Sequence, residues 1–258
     1  MREEGVTGFG FPHAGRSYKS AILPPVTRRL HVHALRIGIV ELSPEQAHHA
    51  RDVLRIEERA IVELFDDAGQ TAQGQLSFDA RSRAIVAISE VFAPADSFQL
   101  TIASAVPKGE RADWMIEKLS ELGVSGFIPL ATQRSVVLPG GTNKRQRWER
   151  IAIESAKQSH RRGMMQLGDL TPLAGAMTSG WYLSPDPRAL PIVQAVAELK
   201  VPELRLFIGP EGGWTDEERT AFDAAGLTPV RLTDTILRIE TAAVAAAAVV
   251  MCAVRSPG

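Results

Sequence analysis

The C-terminal part of the chain uses one device twice. Phe207-Ile208-Gly209-Pro210-Glu211-Gly212-Gly213-Trp214 follows the apolar run from Leu204 to Ile208, and Leu232-Thr233-Asp234-Thr235-Ile236-Leu237-Arg238-Ile239-Glu240-Thr241-Ala242 follows the run from Pro229 to Leu232. Each motif leads into a helical segment. Two such strand–turn–helix units call for strands whose turns lie at one edge of a sheet, where α/β proteins bind small molecules. Glycines in the first turn let the backbone approach a ligand with no Cβ between them.

Upstream, the rhythm divides the chain into three. Residues 1–26 are rich in Gly, Ser and Pro and read as a flexible extension. Residues 27–92 read as a mostly β module: Leu30–Ile39, Ala60–Phe65, Thr71–Phe78 and Ala84–Val91 are strand-like, with a turn at Asp66-Asp67-Ala68-Gly69. Ser43-Pro44-Glu45-Gln46 opens one helix, with Ser as N-cap, Pro at the first position and Gln completing a capping box, running to about Arg55. Several short strands and one helix suggest a small barrel. Ala93-Pro94-Ala95-Asp96 reads as a linker.

Residues 97–256 then alternate strand and helix, which predicts an α/β domain on a mainly parallel sheet. Strands fall at Phe98–Val106, Phe127–Leu130, Trp181–Leu183 and Leu204–Ile208. Helices fall at Gly109–Leu122, stopped by Gly123, and at Lys144–His160. A third begins at the capping box Thr215-Asp216-Glu217-Glu218 and ends at Gly226. The Ala-rich run Ala242–Val254 is shorter than the ~20 residues a membrane span needs, so it predicts a buried helix, in the core or at a subunit contact. The single cysteine, Cys252, lies in that run and reads as a buried thiol. One cysteine excludes an internal disulfide and a cysteine metal cage, and suits a reducing, cytoplasmic setting.

Several functions are excluded by spacing. Gly209–Gly213 lacks the Gly-Lys-Ser/Thr ending of a P-loop, and no strand is followed by Gly-x-Gly-x-x-Gly. His48-His49 has no further ligand at metal spacing, so no metal is expected. Ser125 in Gly-Val-Ser-Gly lacks the spacing of a nucleophile elbow. Net charge is −1, yet Arg134–Arg162 holds eight Lys/Arg against Glu149 and Glu154. Arg147, Arg150, Glu154, Lys157 and Arg161 share one helix face, with Trp148, Ile151, Ala152 and Ser155 turned to the core. A nearly one-signed face is a candidate phosphate surface. In the second motif, Glu240 suits the start of a helix, while Arg238 either positions a ligand or pairs with a nearby carboxylate to hold the turn.

With these motifs the chain resembles the RsmE family of SPOUT-class methyltransferases, from about Arg28 to Val254. The resemblance rests on Val106-Pro107-Lys108-Gly109-Glu110 with Glu117-Lys118, Glu121-Leu122-Gly123-Val124, Pro129-Leu130 leading to Arg134-Ser135-Val136-Val137, Trp148 with Ile151-Ala152-Ile153-Glu154, Gln158 with Arg161, and the two C-terminal motifs. It implies a SPOUT domain with a deep trefoil knot, preceded by a PUA-like RNA-binding β-barrel, in a homodimer. It also implies S-adenosylmethionine as cofactor and small-subunit (16S) ribosomal RNA as substrate, methylated at N3 of a uridine. By the same resemblance Ile208, Gly209, Gly212, Gly213, Leu232, Ile236, Leu237 and Arg238 fall to the cofactor. Lys108, Arg134, Gln158 and Arg161 fall to RNA or the active site, Arg28, His49 and Arg55 to RNA on the barrel, and Arg161 and Arg238 to stabilisation of a developing uracil anion. The chain departs from the family pattern at Thr233-Asp234-Thr235, at His160 and at Glu57-Glu58. A non-catalytic RNA-binding assembly factor of the same fold, or a methyltransferase for another RNA base, are the alternatives.

Overall fold

The computed structural model describes residues 28–79, 83–94, 98–136, 138, 141–161 and 163–255. The expected N-terminal extension, half of the linker, Val137 and Arg162 lie outside them. Two sheets organise the rest. The first holds β1 (Arg28–His31), β2 (Gly38–Glu41), β3 (Ile61–Phe65), β4 (Thr71–Phe78) and β5 (Ala84–Ile88), with helix α1 (Pro44–His48) and a π-helical continuation, His49–Val53, between β2 and β3. Its order is β1-β3-β4-β5-β2. The β1–β3 pair is parallel and the others are antiparallel. Alternation places Leu30, Val62, Leu64, Ala72, Leu76, Val86 and Ile88 in one core.

Three expectations for this module need correction. The sheet is not a hydrogen-bonded closed barrel: among the described residues, β1 and β2 are its two unpaired edges. The run from Leu30 to Ile39 is two strands, because the Asp66 carboxylate takes the Leu35 N–H at 3.0 Å and Gly38 turns the backbone at φ 110°. The α1 start is half a capping box: Ser43 Oγ accepts the Gln46 N–H at 3.2 Å, but Gln46 Oε1 is buried without a partner among the described residues.

The second sheet is parallel throughout. In chain order its domain contains β6 (Gln99–Ser104), α2 (Glu110–Glu121), β7 (Gly126–Ala131), α3 (Thr142–Gln158), β8 (Gln166–Leu167), β9 (Thr171–Pro172) and α4 (Leu173–Ala176). There follow β10 (Trp181–Leu183), β11 (Leu190–Pro191), α5 (Ile192–Ala197), β12 (Glu203–Ile208), α6 (Asp216–Ala224), β13 (Thr228–Arg231) and α7 (Ile239–Arg255). The order is β11-β13-β10-β12-β6-β7-β8, with β9 beside β7. Helices α2 and α7 pack together and close one face over Leu100, Ile102, Met115, Leu119, Ala243, Ala247 and Val250. The α6 capping box is complete: Thr215 Oγ1 accepts Glu218 N–H while Glu218 Oε2 accepts Thr215 N–H. Cys252 corrects the buried-thiol expectation. It is exposed, because the buried stripe of α7 runs through Ile239, Ala243, Ala246, Ala247 and Val250 and leaves position 252 on the other side. Among the described residues no helix is long and apolar enough to cross a membrane.

The two parts meet closely. Arg29 reaches from β1 to the Ala156 carbonyl at the end of α3, at 2.9 Å, while its Nε donates to Glu63. Gln166 donates to the Asp67 carbonyl. A Cβ on Gly163 would lie 2.8 Å from the Gly69 Cα, so the turn of the small module and the chain after α3 approach as only glycines permit.

Candidate functional site

β13, β10 and β12 are neighbours in the parallel sheet, so the loops that follow them leave the same edge. Between those loops lies a cavity of about 270 Å³. Its lining comes from Leu183–Pro185 after β10, Ile208–Trp214 after β12, and Leu232, Thr233, Thr235, Ile236 and Leu237 after β13, with Ile239 and Ala242 of α7 at the base. All the predicted cofactor residues line it except Arg238.

The walls are fixed from within. Trp214 is buried, its Nε1 donates to the Leu183 carbonyl at 3.0 Å, and Phe222 meets its ring edge-on at 4.8 Å. The loop after β12 is thereby tied to the loop after β10. Gly209 is needed beneath this ring, since a Cβ there would sit 3.0 Å from Trp214 Cε2. Gly213 has φ 69°, and its N–H closes a turn onto the Pro210 carbonyl. Arg134, from the loop after β7, donates to the Gly212 carbonyl at 2.6 Å and braces the turn from outside. Glu218 adds a second brace by accepting the Gln133 N–H.

The departures from the family pattern are accommodated locally. Thr233 Oγ1 donates to the Thr235 carbonyl at 2.8 Å and accepts its N–H at 3.2 Å, and Asp234 pairs with Arg231. Side-chain bonds therefore shape this turn where a glycine would otherwise relax it. In the loop after β10, Asp186 accepts hydrogen bonds from the Arg188 side chain and backbone, which push its carboxyl down to about 2. Sequence reasoning missed Leu183–Pro185. The strand Trp181–Leu183 is legible in the sequence, and Ser184-Pro185-Asp186-Pro187 is the turn signal after it that points to the third loop of the cavity.

Other candidates fall elsewhere. Arg238 is exposed, and no carboxylate pairs with it among the described residues. Glu240 is buried in the first turn of α7, 3.4 Å from Arg111, with Oε2 unpartnered among the described residues. Lys108 is exposed on the loop after β6, at the same sheet edge as the cavity. Arg161 is at the opposite edge: its Nη1 donates to the carbonyls of Ser120 and Val124, which end α2 and precede β7. The six residues of β7, at about 3.3 Å each, put it on the order of 20 Å from the cavity edge. Within one chain its Nη1 holds the α2–β7 turn, away from the cavity. Gln158 is exposed at the end of α3.

The basic face of α3 also differs from expectation. Lys157 is buried and bonded to Glu154, Arg147 pairs with Asp113 of α2, and Arg145 pairs with Glu149 and Asp169. Glu149 and Glu154 are on α3 itself, but Asp113 and Asp169 come from other elements, and helix spacing alone could not show those two. On the small module, Arg28 and Arg55 are exposed, His49 is half-buried, and Arg55 has φ 49°. No hydrogen bond joins these three among the described residues.

A family model described as RNA methyltransferase domain matches residues 94–251. The ribosomal RNA small subunit methyltransferase E of Synechocystis is 33% identical over 220 residues, covering 79% of this chain and 69% of that protein. The Bacillus subtilis protein of the same name is 27% identical over 78% of this chain and 85% of its own length. Among solved structures, a Legionella pneumophila methyltransferase with SAM bound superposes with TM-score 0.74 at 28% identity, covering 88% of this chain and 98% of that one. The Neisseria gonorrhoeae ribosomal RNA small subunit methyltransferase E, bound to S-adenosyl methionine, gives TM-score 0.73 at 28% identity over 86% and 95% of the two chains. A match over most of the chain, together with the edge cavity built by both C-terminal motifs, shows that this chain belongs to the ribosomal RNA small subunit methyltransferase E family.

Proposed function

We propose that this chain methylates a uridine of small-subunit (16S) ribosomal RNA at N3, with S-adenosylmethionine as donor. The observation that carries the reading is the cavity between the loops after β10, β12 and β13, in a chain two of whose solved relatives hold that cofactor. The residues present fit such a group. Ile208, Leu232, Ile236, Leu237 and Ile239 offer apolar walls for an adenine, and Gly209–Gly213 offers main-chain donors and acceptors without intervening side chains. When bound, the cofactor supplies a methyl group already activated on a sulfonium sulfur. The protein then has to align the acceptor with it and favour loss of the N3 proton. Arg238 stands between two cavity-lining residues, Leu237 and Ile239, with its side chain exposed, and is assigned to the developing uracil anion. N3 lies on the pairing edge, so the target base must be out of its pair.

The finer architecture belongs to the same proposal. Residues 27–92 act as a PUA-like RNA-binding module, and residues 97–256 as a SPOUT domain whose C-terminal loops thread a trefoil knot. The interleaved order β13-β10-β12-β6 favours that threading. A homodimer is favoured by apolar side chains left in solvent near the cavity and on α2, namely Ile236, Val136, Leu138 and Trp114. Calorimetric titration with S-adenosylmethionine tests the reading. We expect saturable binding, and an Arg238→Ala variant that keeps the cofactor affinity but loses RNA methylation. No binding at millimolar ligand would favour a non-catalytic RNA-binding factor instead.

A further inference from the structure

Two histidines and an aspartate stand together at the junction of the small sheet and the methyltransferase domain, away from the cofactor cavity. β1 and β3 are parallel with His31 opposite Phe65, so two residues further along each chain His33 comes abreast of Asp67. His31 Nε2 lies 2.6 Å from Asp67 Oδ1, and His33 Nδ1 lies 3.2 Å from Asp67 Oδ2. The three groups offer ligand atoms that all lie within 4.8 Å of one another. Sequence spacing around His48-His49 gave no hint of this, because the carboxylate comes from the turn after β3, 34 positions beyond His33.

We propose that His31, His33 and Asp67 form a binding site for a zinc-class divalent cation. Two imidazoles and a carboxylate suit zinc and its neighbours, whereas magnesium and calcium prefer all-oxygen sets. Zinc donors at roughly 2.0–2.2 Å stand about 3.3–3.5 Å apart around a tetrahedral ion. His31 and Asp67 are already closer than that, and the ring of His33, 86% exposed, is free to swing inward. His31 is buried, so its Nε2 is held in place towards Asp67. Ligation through Nε2 requires the Nδ1–H tautomer, so the proton now shared with Asp67 moves to the other ring nitrogen. Lys157 opposes a cation here by charge, but its ammonium is engaged by Glu154 at 2.8 Å.

The place of the cluster gives such a cation a task. Asp67 belongs to the turn whose carbonyl receives Gln166 and whose Gly69 abuts Gly163. Arg29, two residues before His31, reaches the end of α3. A cation bound there ties the end of β1 to the turn carrying Asp67, and so stiffens the part of the small module that meets the methyltransferase domain.

The test uses the full chain, free of any polyhistidine tag, stripped by chelator and titrated calorimetrically with zinc chloride. Thermal unfolding is followed in parallel. We expect one zinc per chain, a rise in Tm on loading, and at least ~10-fold weaker binding for His33→Ala and for Asp67→Asn, the range that changes around zinc ligands produce. His48→Ala, whose side chain pairs with Asp52 on α1 and its continuation, binds as the wild type. Absence of saturable binding, wild-type affinity in His33→Ala, or loss of binding in His48→Ala would each overturn the site. His33 is exposed, so its variant keeps the fold and the comparison stays decisive.

Discussion

Gly209→Ala is a direct perturbation of the cavity wall. The added methyl would sit 3.0 Å from Trp214 Cε2, 3.2 Å from Cδ2 and 3.3 Å from Cζ2. The ring cannot retreat freely, since the Leu183 carbonyl holds its Nε1 and Phe222 packs on it edge-on. Overpacking of this kind costs about 1–3 kcal/mol. For a chain of this size each kcal/mol lowers Tm by roughly 2–4 °C. Gly209 and Trp214 both line the cavity, so displacement of the ring also deforms the ligand's seat. If 1–2 kcal/mol of the cost appears in binding, affinity for S-adenosylmethionine falls by roughly 5–30-fold. Gly213→Ala is the matched control: nothing lies within 4 Å of its Cβ, but φ is 69°. It loses about 1–2 kcal/mol of stability to backbone strain with less effect on the indole. Calorimetry and thermal unfolding of both variants decide the matter. If Gly209→Ala lowers Tm yet binds cofactor as tightly as the wild type, Trp214 is not a wall of the cofactor site.

Three further outcomes follow from the geometry. Arg161→Ala strips a donor from the fully buried Ser120 and Val124 residues, so it costs about 1–3 kcal/mol of stability and leaves cofactor affinity unchanged by calorimetry; a stable variant that fails only on RNA would restore a direct role. Glu218→Ala leaves the Thr215 and Gln133 N–H groups without their acceptor and should destabilise more in thermal unfolding than Thr215→Ala, which loses only the cap, about 0.5–2 kcal/mol. His31 has its pKa lowered from 6.5, chiefly by burial and against the pull of Asp67. Below pH 6.5 the unfolded chain takes up a proton that the folded chain resists, so stability should fall from that pH down to the lowered value. In chelator-treated protein His31→Asn should flatten this slope, and an unchanged slope would assign the pH dependence elsewhere.

The α/β half of the fold was legible because local signals and tertiary structure agree there. Thr215 and Glu218 complete their capping box, Gly226 and Gly123 end helices with positive φ, and the strand runs pair in parallel. The cavity residues were legible because the strands before both C-terminal motifs, β12 and β13, flank β10 and end at the same sheet edge. What the sequence concealed depended on partners far along the chain. The Leu30–Ile39 run looks continuous by hydropathy, but Asp66 captures Leu35 N–H across 31 positions and ends the strand pairing. Gly38 was the one local sign of that break. On the basic face of α3, Arg147 is paired with Asp113 of α2 and Lys157 with Glu154, and beside that face Arg145 is paired with Asp169. Arg161 reads as an active-site cation by resemblance, yet within one chain its Nη1 holds the Ser120 and Val124 carbonyls at the other sheet edge.

Mass spectrometry of 16S ribosomal RNA from a strain lacking this gene, followed by treatment of that RNA, or of the small subunit carrying it, with purified protein and S-adenosylmethionine, tests whether this chain makes 3-methyluridine. One 3-methyluridine should be lost in the deletion strain and return on treatment. An unaltered complement of 3-methyluridine, or the loss of a different methylated base, would contradict it.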